Sequence, residues 1–475
     1  MSARVPRALA IFLCLTASLA LAQATKSGPK TKPAAPTKPA AAGFHVPVDS
    51  YKLPNGLRVV LSEDHTAPTA VLAVYYNIGF RIEPQDRTGF AHLFEHMMFE
   101  GSQNAPKGVF DKLTNGNGGV NNGSTRFDFT NYFEVVPSNL LETVLWLEAD
   151  RMRGLLITEE NLKNQQGVVM NEVKVNVLNQ PYGGFPWLDM PQYANSNWYN
   201  AHNFYGELKD LEAANLEDVK KFFDTYYAPN NAALVVVGDF NAKQTKEWIA
   251  KHFGDIKSGP PIKTPDISEP RQEKEKRAKK IDLLAKRPAL AIAYHVPQRN
   301  SPEYFAMAIL DQLLVQGNDS LLRQELVKKR GYTAEVEGGI NLLGNAFNYN
   351  GPMLWTASLI HDAEASPEKI LEAVDAVIEP LRTKPIDQQM LDLARVKLRS
   401  SFYDSVGEFN GFGRADLLAS FALFDDNPAR INALDAEFAK VTPDTVLKAA
   451  REYLRPSNRT VLVLEPGAEA APKGN

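Results

Sequence analysis

Short apolar runs bounded by turn residues alternate along the chain with longer stretches whose apolar positions recur every three or four residues. The short runs, at 57–61, 71–76 and 290–294, predict buried strands. The longer ones, at 89–99, 140–153 and 303–315, predict amphipathic helices. Both kinds occur in each half, which points to an α+β fold with helices packed on a largely antiparallel sheet. The halves also end alike. A helical stretch from Val219 leads to Pro229 and Asn231 and then an apolar run; another from Val446 leads to Pro456 and Asn458 and a second run. One offset, 446 − 219 = 456 − 229 = 458 − 231 = 227, relates the two, so the architecture reads as a duplication.

The ends of the chain have a different character. Arg4 and Arg7 precede a short apolar run, 8–22, that closes on Ala20-Leu21-Ala22, the pattern of a signal peptide cut after Ala22. The run is too short to span a membrane comfortably, and no later stretch is long and apolar enough to do so. Residues 23–44 are Lys, Pro and Ala-rich and predict a disordered tether. The expected organisation is then a first domain at 45–256, a linker at 257–280, a second homologous domain at 281–468 and a tail at 469–475. The product is expected to be exported, to a periplasm or the extracellular space.

Composition narrows the chemistry. The 475 residues carry 52 basic and 56 acidic side chains, a net charge of −4, which disfavours nucleic acid as a partner. Cys14 is the one cysteine and falls in the leader, behind a Leu13 too bulky for a lipidation site. Disulfides and cysteine-based zinc sites are thereby excluded.

The sharpest signal is His92-Leu-Phe-Glu95-His96, an H-x-x-E-H pattern. On a helix His92 and His96 share a face, suited to one zinc ion, and Glu95 lies beside them, suited to take a proton from a zinc-activated water. A third protein ligand is required, and Glu159, Glu160 and Glu172 lie on a candidate helix at 158–178. The remaining histidines carry structural expectations: His45, His65, His252 and His361 at the surface, His295 partly buried, His202 structural.

These motifs resemble the pitrilysin, insulysin and mitochondrial-processing-peptidase family of zinc metallopeptidases. In that family the third ligand is a glutamate on a downstream helix, and the separation of Glu172 from His96, 172 − 96 = 76, is the one the family uses. Asn122-Gly-Ser-Thr125-Arg-Phe-Asp128-Phe-Thr130-Asn-Tyr132 matches the family's N-A-x-T-x-x-D-x-T-x-Y stretch, with Gly123 in place of alanine. Segments 206–240 and 456–466 also fit, so the resemblance runs over about 48–466. It implies a zinc endopeptidase acting on peptides or unfolded polypeptide, with one Zn2+ per chain held by His92, His96 and Glu172, and Glu95 as general base. It also implies that Asn122, Gly123 and Ser124 form an edge strand that pairs with the substrate backbone.

Two positions depart from the family pattern. Gln165 stands where a second glutamate is common, which should tune the metal's surroundings without removing it. In the second half, the family's substrate-gripping arginine and tyrosine align with Val327 and Ala334, while Arg330 and Tyr332 are out of register. The resemblance therefore implies a partner: a homologous subunit supplying the Arg/Tyr pair in a heterodimer, or a second copy in a homodimer using Arg330 and Tyr332. The competing reading is a non-catalytic family subunit that serves assembly or peptide binding.

Overall fold

Two sheets carry the fold in the computed structural model, which describes residues 44–467. The leader at 1–22 with Cys14, the tether up to residue 43 and the tail at 469–475 lie outside the described residues. The first sheet contains β1 (Asp49–Lys52), β2 (Arg58–Glu63), β3 (Thr69–Tyr76), β4 (Val120–Thr125), β5 (Thr130–Pro137) and β6 (Ala232–Gly238), in the order β1-β2-β6-β3-β5-β4. The second contains β7 (Lys276–Asp282), β8 (Ala289–His295), β9 (Glu337–Ile340), β10 (Leu354–Ile360) and β11 (Arg459–Pro466), in the order β7-β11-β8-β10-β9. Apart from β1, the strand orders correspond one to one. Each sheet is antiparallel except for one pair, β2 with β6 and β7 with β11. The chain is thus α+β, as the patterning predicts.

Seven helices matter here: α1 (Phe90–Met97), α2 (Leu141–Arg153), α3 (Glu159–Val173), α4 (Leu216–Tyr226), α5 (Pro302–Leu314), α6 (Gln388–Asp425) and α7 (Pro443–Tyr453). The offset of 227 holds for whole elements, since 443 − 216, 453 − 226 and 459 − 232 all give it. The shared turn residues have one physical job. Asn231 donates its side-chain amide to Tyr226 O at 2.8 Å, and Asn458 donates to Tyr453 O at 2.7 Å. Each asparagine thereby satisfies a carbonyl at a helix end that has no partner within the helix. Both helices also begin with a capping box, Asn215 with Asp218 and Thr442 with Thr445.

The segment expected to be a linker is partly a strand. Lys276–Lys280 belongs to β7, paired in parallel with β11. Its side chains alternate between half-buried and exposed, a period of two that the run of charges conceals in the sequence.

The two faces of the first sheet meet different helices. Leu57, Val59, Leu72 and Val74 face α1, α2 and α4, whereas Val60, Val71, Tyr75 and Val235 face the C-terminal part of α6. With both faces covered, β3 reads as an unbroken apolar run rather than an alternating one. The crossing of α6 from the second half is fixed by polar contacts, with Tyr75 OH donating to Asp416 at 2.8 Å and Arg414 paired with Asp64 at 2.8 Å. The exchange is reciprocal. A first-half helix, Asp189–Ala194, packs Met190 and Ala194 against Ala291, Ala293 and Leu462 of the second sheet.

Candidate metal centre

The start of α1 is built by residues far from it in sequence. Gly89 precedes the helix at φ +83°, and a Cβ there would lie 2.5 Å from Tyr205 O, so only glycine fits. The buried Glu83 carboxylate accepts the backbone N–H groups of Gly89 at 2.9 Å and Ala91 at 2.5 Å. An acid at a helix N-terminus compensates the dipole and pairs its free N–H groups. Burial pushes the Glu83 carboxyl up, and His202 at 3.7 Å opposes that shift. His202 also bonds Phe80 O at 2.7 Å and stacks on Trp198, so its role is structural, as expected.

One side of α1 buries Leu93, Phe94 and Met97 in the core. The other presents His92 and His96, whose Nε2 atoms lie 3.3 Å apart. Glu172, on the last turn of α3, brings Oε2 to 3.1 Å from His96 Nε2 and Oε1 to 3.7 Å from His92 Nε2. Tetrahedral zinc with bonds of about 2.0–2.1 Å separates its ligand atoms by roughly 3.3 Å, so this donor set fits the ion. Among the described residues it is the one group of three or more His, Cys, Asp or Glu with ligand atoms all within 4.8 Å of one another. Glu159 and Glu160 sit exposed on the first turn of α3. At 1.5 Å per residue that is roughly 18 Å from Glu172, which removes both as alternatives.

Burial, with the neighbouring His96, lowers the His92 imidazole to about 4, which keeps it neutral as a ligand must be. His96 moves the other way: burial lowers it, but hydrogen bonding to Glu172 and the charges of Glu95 and Glu172 outweigh that. The same hydrogen bond from His96 holds the Glu172 carboxyl below its usual range. Glu95 is pushed up by burial, and Thr125 Oγ1 donates to its Oε2 at 2.7 Å.

The rest of the Thr125–Tyr132 stretch also has visible work. Asp128 pairs with Arg81 at 2.7 Å and accepts the N–H groups of Asn350 and Gly351 from the second half. Thr130 donates to Ile78 O, and Tyr132 OH donates to Phe94 O on α1. Gly123 is explained by Tyr132: a Cβ would lie 3.1 Å from a ring already held by that hydrogen bond and by Arg151 at 4.5 Å. Gly123→Ala should therefore destabilise the fold by about 1 kcal/mol, measured by denaturant unfolding. An equal or higher midpoint would contradict this.

Asn122, Gly123 and Ser124 lie on an edge strand, since among the described residues β4 pairs only with β5. Gln165 donates Nε2 to Glu100 Oε1 at 2.5 Å, and Lys107 pairs with Glu100 at 2.7 Å. Val327 packs against the core and Ala334 is exposed. Arg330 is tied to Glu325 at 2.8 Å, and Tyr332 packs against the core. His361 corrects an expectation, being buried with Nδ1 against Asp362 O at 2.9 Å. The His252 side chain is likewise largely covered, 3.5 Å from Glu142. His45 and His65 are exposed.

Sequence reasoning missed Glu83, Glu100 and Tyr205. An acid just ahead of a helix start could have flagged Glu83; no local pattern marks the other two. Tyr205 OH donates to Glu172 Oε1 at 3.2 Å, and its ring lies 5.0 Å from that of His92. Tyr205→Phe should weaken zinc affinity by about 10- to 100-fold, read by competition with a chromophoric chelator. An unchanged affinity would show that Glu172 is held by packing alone.

Comparison with known proteins gives a consistent assignment. The family described as "Insulinase (Peptidase family M16)" matches residues 58–190, and "Peptidase M16 inactive domain" matches 213–398. The chain is 28% identical over 427 residues to zinc protease PqqE of Helicobacter pylori, covering 88% of this chain and 93% of that protein. It is 22% identical over 273 residues to a probable mitochondrial-processing peptidase subunit beta of Arabidopsis thaliana, covering 57% and 50%. The crystal structure of a protease from Helicobacter pylori superposes with a TM-score of 0.82 at 26% identity, covering 89% of this chain and all of that one. The matched segments together span more than half of the sequence and contain all three converging ligand groups, and the chain belongs to the insulinase family, peptidase family M16.

Proposed function

We propose that the protein is a zinc-dependent endopeptidase that hydrolyses peptides or unfolded polypeptide segments. The observation that carries this reading is the convergence of His92, His96 and Glu172 beside a half-buried Glu95, next to an open sheet edge. One Zn2+ per chain would be held by the three side chains. When bound it supplies Lewis-acid polarisation of the scissile carbonyl and activation of a water. Glu95 takes the proton of the attacking water and returns it to the leaving amine. Thr125 fixes one Glu95 oxygen and leaves the other for that transfer. The edge of β4, at Asn122, Gly123 and Ser124, pairs with the peptide backbone and aligns it.

Assembly follows from the second half. Val327 and Ala334 occupy the positions of the family's substrate-gripping pair, so a homologous subunit carrying that pair is the proposed partner, with a homodimer as the fallback. The same two residues favour a second reading, a non-catalytic subunit that binds peptide for a partner. The test is hydrolysis of quenched peptides by the zinc-loaded mature chain, alone and mixed with a homologue carrying the pair. Full activity from a strict monomer would overturn the two-chain proposal; no activity in either mixture would favour the non-catalytic reading. The leader-like pattern at 1–22 supports export, and the native protein should begin at or near Gln23. Mass spectrometry that finds residues 1–22 retained would contradict it.

A further inference from the structure

The edge strand has two faces, and only one looks toward the metal-binding helix. Thr125 and Tyr132 point to α1, where they reach Glu95 and Phe94 O. Asn122 stands opposite Phe133 in the register of β4 and β5, and Phe133 stacks on Phe412 of α6 at 3.9 Å. Asn122 and Phe133 therefore belong to the opposite face. There they form part of the wall of a cavity of about 510 Å³, completed by Phe347 and Asp311 from the second half and by Phe409 and Phe412 from α6.

The cavity is shaped by a break in α6. Glu408 to Gly411 leave helical geometry, with Phe409 at φ +47° and Asn410 at φ +56°. A phenylalanine in left-handed backbone is disfavoured, and this one also keeps its ring half exposed, at 50%. The ring meets those of Phe133 at 6.1 Å and Phe412 at 6.5 Å edge-on, which places it in the aromatic wall of the cavity.

A peptide added to β4 would alternate its side chains between the faces. The residue opposite Asn122 points to the cavity, about 10 Å along the strand from the level of Thr125 and Glu95. We propose that this cavity is a side-chain subsite that selects a large aromatic residue of the bound peptide, an inference that rests on the peptide-pairing role proposed for β4. The aromatic wall offers stacked and edge-on ring contacts. Of the three carboxylates that line the cavity, Glu408 is solvent-exposed, where water and salt screen its charge. Asp416 is occupied by Tyr75 and Asn345, and burial pushes the Asp311 carboxyl up to about 7. Asp311 commits only Oδ1, to Trp355 at 2.8 Å and Gln316 at 3.5 Å, so its other oxygen can accept from a tyrosine hydroxyl.

The test moves one Phe or Tyr through quenched alanine–serine decapeptides. It measures kcat/KM with the zinc-loaded chain and, separately, equilibrium binding of the same peptides, fluorescein-labelled, to the Glu95→Gln protein. One register position should favour the aromatic residue by tenfold or more in both measurements. Phe409→Ala, which removes the exposed ring, and Ser405→Trp, which fills the mouth from an exposed position of α6, should each reduce that ratio to within twofold. No positional preference in binding, or a preference that survives both variants, overturns the subsite. Aromatic-dependent binding without cleavage by the wild-type chain keeps the subsite and instead overturns the peptidase reading.

Discussion

Glu95→Gln should lower peptide hydrolysis by about 10²- to 10⁴-fold while zinc content and thermal stability stay at wild-type values. Glu95 is absent from the converging ligand atoms, so the metal does not depend on it. The amide carbonyl still accepts the Thr125 hydroxyl, which preserves the local structure. What the amide lacks is a lone pair basic enough to take a proton. Turnover of a quenched peptide, metal analysis and a melting curve on one preparation separate these properties. Wild-type turnover with full zinc would remove Glu95 from the general-base role.

Glu172→Ala should reduce zinc from one ion per chain to near none after dialysis against a mild chelator. Two imidazoles would remain, short of the three protein ligands that such a site needs. His92→Ala should match it in metal content but also melt lower, because His92 is 4% exposed while the Glu172 side chain is 27% exposed. Full occupancy in Glu172→Ala would exclude that residue as a ligand, and the exposed Glu159 and Glu160 lie too far along α3 to replace it.

What could be read from the sequence was local or strictly repeated. His92 and His96 are visible because a four-residue step on a helix is a geometric statement, and Glu95 because it sits beside them. The duplicated helix–turn–strand unit is visible because its asparagines perform the same helix-end hydrogen bond in both copies. Glu83 lies 6 residues ahead of the helix start it caps, near enough for a local rule to find, whereas Tyr205 acts across 33 residues on a ligand oxygen that has no signature of its own. The path of α6 onto the first sheet was hidden for another reason: an apolar helix face does not name the surface it covers. In β7 the charges concealed a strand, because period-two burial at a sheet edge lets lysine stems pack while their heads stay in water.

The two parallel pairings set when this protein can fold. β2, starting at Arg58, waits for β6, which starts only at Ala232. β7, starting at Lys276, waits in the same way for β11, which starts at Arg459. Loop closure over such spans is slow, and contacts this remote give a high contact order. During synthesis the first sheet stays open until Gly238 has emerged. Its second face stays bare until the far end of α6, at Asp425, has followed. The emerging chain therefore carries α1 and α3 without the finished sheet that backs them. His92, His96 and Glu172 reach their final spacing only once that sheet has closed, so the three-residue cluster is completed late in folding.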